Sequence, residues 1–309
     1  MATRRPDLEA APYKEPNFIW KFLMPLYEVM VKTGDTRYQD IVADAAAQTD
    51  RTLGTAPTAV RIDSAKVTFS LNEKIKRYKM DYSEIEQLGG LAMAQMKGAR
   101  AGKRAVGSAI ETAAIASTFG DEANINSADI LTSFLKAADV AKETVMDYAD
   151  GPMGLFGAYK VVNRLKRYDE VVERMTFTGV LPGNVRDVRS ISDEQLAAAI
   201  GVDRVLTGPS TASAAGWLGA ASAYDGWLGL MALPDVNADP DEEIQFGRMF
   251  AMNSGSAGEL FQVETYYSDD LRSEVVDTTA WIDEQVFNKE ACYILKGIDE
   301  ENTVTTTAS

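Results

Sequence analysis

The chain has 309 residues, 46% of them hydrophobic and 25% charged, with a formal net charge of −15, a single cysteine and no histidine. At roughly 150 residues per domain this length gives about two domains with ample core. The missing histidines exclude Ser-His-Asp and Cys-His catalysis and histidine metal sites, Cys292 alone excludes an intrachain disulfide or a cysteine zinc cluster, no apolar run of about 18 residues exists to span a membrane, and the acidity argues against generic nucleic-acid affinity.

The first 34 residues hold four of the ten prolines, at 6, 12, 16 and 25, which predicts an extended arm with one short turn. Phe18, Trp20, Phe22, Leu26 and Tyr27 make that arm apolar, and an extended arm cannot bury them on itself. A signal peptide is disfavoured because Lys21 and Pro25 interrupt the run and no small-residue cleavage pattern follows. An arm lying on its own body or on a neighbouring copy fits better.

A strand through Arg37 and Tyr38 (TRYQDIV), paired with the segment from Val60 onward, predicts a projecting hairpin. Val60 and Ile62 share one parity and Val67, Phe69 and Leu71 the other, so the second strand should kink or bulge near Asp63 and Ser64. The stretch from Lys74 to Arg104 carries eight Lys or Arg against three Asp or Glu, a net of +5, which leaves −20 for the rest of the chain. Lys74, Lys76, Arg77 and Lys79 are its leading part, a candidate surface for self-association between unlike patches.

From Asp81 to Thr118 apolar residues recur at helical spacing, Ile85, Leu88, Leu91, Met96, Val106 and Ile110 among them, which predicts one long helix. Glycine costs about 1 kcal/mol relative to alanine inside a helix. Gly98 and Gly102 therefore imply a face under close packing by another backbone.

Beyond Gly120, Ser127 is the expected cap of a helix bearing Ile130, Phe134, Ala138, Ala141 and Val145. A second helix is expected near Arg164 to Met175, and a third starts at the capping box Ser192 to Gln195 and stops at Gly201. VDRVLTG and DGWLGLMALP read as strands around a small-residue stretch that lacks the lysine and glycine spacing of a phosphate loop. Asp235, Asn237, Asp239 and Asp241 alternate like the opening of a calcium loop, but Pro240 and Phe246 stand where glycine and glutamate would be needed, so a solvated loop is expected. EIQFGRMFAM, GELFQVETYYSDD, SEVVDTTAWIDEQVF and EACYILKGI then read as a strand meander, and the whole as an α+β protein.

The order of these elements, carried by APYKEPNFIWKFLMPLYEVMVKTG, RIDSAKVTFSLNEKIKRYKMDYSEIEQLG, IQFGRMF and VETYYSDDLRSEVVDTTAWIDEQVFNKEACYILKGI, resembles the tailed-phage major capsid proteins of the Hong Kong ninety-seven type. The resemblance implies an N-terminal arm (1–34), an extended hairpin or E-loop (35–80), a spine helix with the first part of a peripheral domain (81–124), an axial α+β domain (125–232), and a second peripheral part with the C-terminal tail (233–309). It implies a homo-oligomer of hexamers and pentamers in an icosahedral shell, with no enzymatic activity, catalytic residue, metal or cofactor. Scaffolding, portal and decoration proteins are the further partners, and the enclosed double-stranded DNA is held without sequence-specific contact, with no membrane involved. The expected location is the virion, after assembly in the host cytoplasm. An arm that begins almost at Met1 implies a separate scaffolding protein or none. No covalent crosslink is expected at Lys66, Lys74 or Asn288. Phe18, Trp20, Phe22, Leu26, Tyr27, Arg37, Tyr38, Lys74, Lys76, Arg77, Lys79, Gly98 and Gly102 are the candidate subunit-interface residues. An encapsulin, a cellular compartment shell of the same fold, is the nearer alternative. A histidine-free carboxylate hydrolase using Asp283 and Glu284 is the remoter one.

Overall fold

A computed structural model describes residues 3–12, 18–39, 64–120, 125–130, 133–149, 151–177, 191–208, 224, 226–235, 243–252, 260–268 and 272–298. The hairpin tip with its expected kink, the small-residue stretch and most of the acidic loop lie outside the described residues.

The first sheet is built around β12 (Ser273–Val286), long enough at 14 residues to serve several partners. On one edge it pairs along Glu274 to Ile282 with β5 (Asn72–Met80). Ile282 also pairs with Ala251 of β10 (Gly247–Met252), and Thr279 with Gln262 of β11 (Gln262–Ser268). A strand residue has only two lateral neighbours, so β10 and β11 follow one another along the other edge. Beyond them lie two short arm strands, β1 (Thr3–Arg4) antiparallel to β11 and β2 (Leu26–Val29) parallel to β10.

The expected meander is therefore corrected. β10 pairs with β12 rather than with its successor β11, and the last strand, β13 (Cys292–Lys296), leaves for a second sheet of order β6, β13, β9, β7, β8. There it joins β6 (Asn126–Asp129), β7 (Met153–Ala158), β8 (Arg204–Gly208) and β9 (Leu228–Ala232). The buried side chains of Ile294 and Leu295 favour that site. Residues expected in the peripheral part thus complete a sheet whose other strands fall within the segment expected to be axial.

The predicted single helix is two. α3 (Tyr82–Gln87) ends at Gly89 and Gly90, whose φ values of +88° and +104° no helix accommodates, and α4 (Leu91–Phe119) restarts at once. α4 then runs for 29 residues across the even-numbered face of β12. Ser127 sits in β6 and does not cap α5 (Phe134–Met146), whose cap is Ser133, its hydroxyl accepting from the Lys136 amide at 3.3 Å. The stretch near Arg164 divides into α6 (Tyr159–Leu165) and α7 (Asp169–Phe177). α8 (Asp193–Ile200) has the expected capping box and ends at Gly201. The main core lies between α4, the second sheet and these helices, and Phe18, Trp20, Leu23 and Met24 of the arm belong to it.

Candidate assembly surfaces

The arm is neither extended nor free. It contains β1, α1 (Pro6–Glu9), α2 (Trp20–Leu23) and β2. Two charged residues of α4 hold it. The buried Glu111 carboxylate accepts from the backbone amides of Ile19 at 3.1 Å and Trp20 at 2.9 Å, capping the start of α2. The buried Lys103 ammonium donates to the carbonyls of Glu9 and, at 3.0 Å, Ala11. Glu9, also buried, receives Arg4 at 2.9 Å and the Val263 amide at 3.2 Å. Breaking such a buried charged bond costs more than a neutral one, because the remaining partner is left unsolvated. Neither Lys103 nor Glu111 was among the expected site residues. The signal was present: they stand on the same helical face as Val106, Ile110 and Ala114, where a solvated charge has no place.

The placement of the arm corrects part of the expected interface. Trp20 is 1% and Phe18 7% exposed within the subunit, so neither offers surface to a neighbour. Leu26 and Tyr27 are half-buried, and Phe22, at 39%, is the exposed one. Met30 and Val31, which follow β2, are exposed at 95% and 54% and were not anticipated.

The hairpin pairs β3 (Thr33–Gln39) with β4 (Ser64–Ser70) in antiparallel register, Thr33 opposite Ser70 and Tyr38 opposite Ala65. Its root rests on the odd-numbered face of β12 and the adjoining strand. Phe69 stacks on Phe250 at 4.8 Å between ring centres, Tyr38 on Phe287 at 4.7 Å, and Lys32 lies 3.5 Å over the Trp281 ring. The Ser70 amide donates to Asp283 at 2.8 Å. The hairpin therefore leans on its own subunit, as an otherwise marginal two-stranded unit must. Further out, Lys66 and Thr68 both bond Asp35, at 2.6 and 2.7 Å, which holds its carboxyl below the usual range. Arg37 is exposed beside them.

The basic segment Lys74 to Lys79 is strand β5, whose outer edge has no partner among the described residues. Lysines there obstruct unwanted strand pairing. Arg77 is already satisfied at home: it forms a two-pronged pair with Asp277 at 2.8 and 2.7 Å, which raises its pKa further. Lys76 and Lys79 are exposed and Lys74 is half-buried.

Gly98 and Gly102 also leave the interface. Both are buried against β12: a Cβ on Gly98 would stand 3.3 Å from Val276, and one on Gly102 would stand 2.1 Å from the Thr278 hydroxyl. Close packing is what the sequence pattern implied, but the partner is this subunit's own sheet.

Asp283 and Glu284 are successive strand residues and so point to opposite faces, which removes them as a cooperating acid and base. Asp283 faces the hairpin root. Glu284 faces inward with Oε1 unpartnered, and burial raises its pKa despite the attraction of Lys74. No group of three or more potential metal ligands occurs among the described residues, and no helix there is long and apolar enough to cross a membrane.

No protein-family profile matches the chain, and no curated protein matches its sequence. Solved structures do match over nearly its whole length. A phage-related protein from Bordetella bronchiseptica RB50 is 18% identical with a TM-score of 0.71, over 98% of this chain and all 100% of that one. The capsid subunit of cyanophage P-SCSP1u is 9% identical with a TM-score of 0.57, over 92% of this chain and 89% of that one. The SrpI encapsulin of Synechococcus elongatus PCC 7942 is 12% identical with a TM-score of 0.57, over 97% and 94%. The fold is thus that of virus-type shell subunits. Arm, hairpin, long helix α4 and the two sheets together match the phage capsid fold, consistent with the Hong Kong ninety-seven type.

Proposed function

We propose that this chain is a major capsid protein that self-assembles into hexamers and pentamers of an icosahedral shell around a double-stranded DNA genome. The observation that carries this reading is the near end-to-end coverage by shell subunits. A match confined to one sheet would leave arm, hairpin and spine unaccounted for. The same proposal includes the division into arm, hairpin, spine with peripheral part, axial part and C-terminal part at 34, 80, 124 and 232, amended by the return of Cys292–Lys296 to the second sheet. It also includes scaffolding, portal and decoration proteins as partners, a structural rather than enzymatic role, and a place in the virion after assembly in the host cytoplasm.

A compartment shell of the encapsulin kind is the second reading, favoured by the SrpI likeness. Expression of the full chain with size-exclusion chromatography and negative-stain imaging tests both. Closed particles of uniform diameter are expected, and a chain that stays monomeric under all assembly conditions overturns the shell reading. Nuclease-protected DNA inside particles from the natural source separates the first reading from a shell filled with protein cargo.

A further inference from the structure

We propose that Lys97, Arg100 and Arg104, on the exposed face of α4, form a docking strip for the phosphate backbone of nucleic acid. α4 contains four cations and one anion. Lys103 and the anion Glu111 are buried on the arm, so every charge the helix exposes is positive. The three remaining cations stand at i, i+3 and i+7, on one side of the helix. None of them makes an ion pair or hydrogen bond among the described residues. A solvated helix face ordinarily intersperses acids with its bases, and this one, in a chain of net charge −15, does not. Lys76, opposite Thr278 and thus on the α4 side of β5, extends the same field.

The surroundings favour a polyanion over a second copy of the chain. Between the cations and beyond Arg104 the exposed or half-buried positions nearest them are the small Ala101, Ala105, Ser108 and Ala109. The one large apolar side chain exposed on the same side of α4 is Met93, a turn before Lys97, with none of the aromatic residues that dominate protein interfaces on this face of the helix. Small side chains let a sugar-phosphate backbone come close. Seven helical residues span about 10 Å, room for about three phosphates at 3.4 Å of axial rise each. The hairpin root is on the opposite face of β12, so the strip is clear of that device. The overall acidity, which argued against nucleic-acid affinity, instead limits it: binding is local, weak per subunit, and strengthened where many copies line one surface.

The inference rests on the shell reading only for its setting, and its test is made on the purified full chain. Anisotropy of a labelled random-sequence duplex DNA is followed from 50 to 200 mM salt, with particle formation imaged from the same preparations. Three phosphate contacts give a log-log slope of about −2.7, an affinity loss of about 40-fold across that range. The triple variant K97Q/R100Q/R104Q should bind at least tenfold more weakly at low salt with its slope near zero. Lys79→Gln, on the opposite face of β5, should keep the wild-type slope, and the single variant Arg100→Gln, measured alongside, should lose about one unit of it. Equal binding by wild type and triple variant, or no binding by the wild type at 50 mM, overturns the proposal. So does a triple variant that stops forming particles while binding DNA normally, which would make the strip a contact between copies. Particles that form normally in either case leave the shell reading standing.

Discussion

The Glu111 carboxylate of α4 accepts the backbone amide of Trp20 at 2.9 Å from a position 91 residues further along the chain, inside the core. Replacing it with alanine leaves buried amides at Ile19 and Trp20 without an acceptor, each costing about 1–3 kcal/mol. Glu111→Ala should therefore lower the urea midpoint of the subunit and open the arm to limited proteolysis, with Glu111→Gln intermediate. Unchanged arm protection in the alanine variant would show that the carboxylate is incidental.

Deletion of residues 1–27 should abolish folding rather than merely assembly. Trp20, Leu23 and Met24 are fully buried in the main core, and a large buried apolar side chain is worth about 1.5–3 kcal/mol. The loss of β1 and of the first half of β2 also strips the outer edge of β11 and part of that of β10. Circular dichroism and thermal melting of the truncated chain check this. A cooperative melt near the wild-type temperature would return the arm to an intermolecular role.

The two glycines of α4 should respond differently. Alanine at Gly98 meets Val276 at 3.3 Å, a contact that small adjustments relieve. Alanine at Gly102 meets Thr278 Oγ1 at 2.1 Å and Cβ at 2.7 Å, so strand and helix must part. Gly102→Ala should cost about 1–3 kcal/mol, more than the helix-propensity gain of about 1 kcal/mol, and Gly98→Ala should be close to neutral. Thr278→Ala should rescue Gly102→Ala in a double-mutant cycle. Additive effects of the two substitutions would reject the contact as the cause.

Glu284 gives a pH signature. Burial raises its folded pKa above the unfolded value, so its contribution to stability is present in full below the ordinary carboxylate range and is lost as pH rises through the folded value. Glu284→Gln should accordingly stabilise the subunit at pH 7 and match the wild type near pH 3, measured as urea midpoints. A glutamine variant less stable at pH 7 would mean that the carboxylate has a partner.

Charge reversal at Lys76 and Lys79 should slow assembly at low salt and leave subunit melting unchanged, because both are exposed. The difference should fade as the Debye length shrinks below about 8 Å. Arg77→Ala should act instead on the subunit, by less than about 1 kcal/mol given its half-exposed side chain and the weakness of solvent-screened pairs. Light scattering across a salt series separates these outcomes.

Much of the architecture was legible because it rests on local periodicity. The alternation Val67, Phe69, Leu71 marked the second hairpin strand, and the capping box at Ser192 marked α8. What failed were decisions made at long range. The pairing of β10 with β12 rather than β11 depends on partners dozens of residues apart, and no local pattern encodes it. The Gly89–Gly90 break was visible as two costly residues, but only their positive φ values separate a break from a tolerated pair. The basic segment read as one surface, whereas the structure sorts it: Arg77 is neutralised by Asp277, Lys103 is spent on the arm, and the remainder stays exposed.

The central position of β12 has a consequence for synthesis. Its neighbours on the two edges include β5 from the first third of the chain and, one strand further out, β1 and β2 from the first 30 residues, yet β12 itself ends at Val286. A chain emerging from the ribosome can pair β2 with β10 and β1 with β11 as those strands appear, but β5 stays an unpaired edge and the two arm pairs stay unjoined until β12 follows. Sheet closure is a late, high-contact-order event. Under the shell reading proposed above, a fragment short of β12 offers no finished sheet to a neighbour, so assembly should begin from subunits in which β12 has already paired.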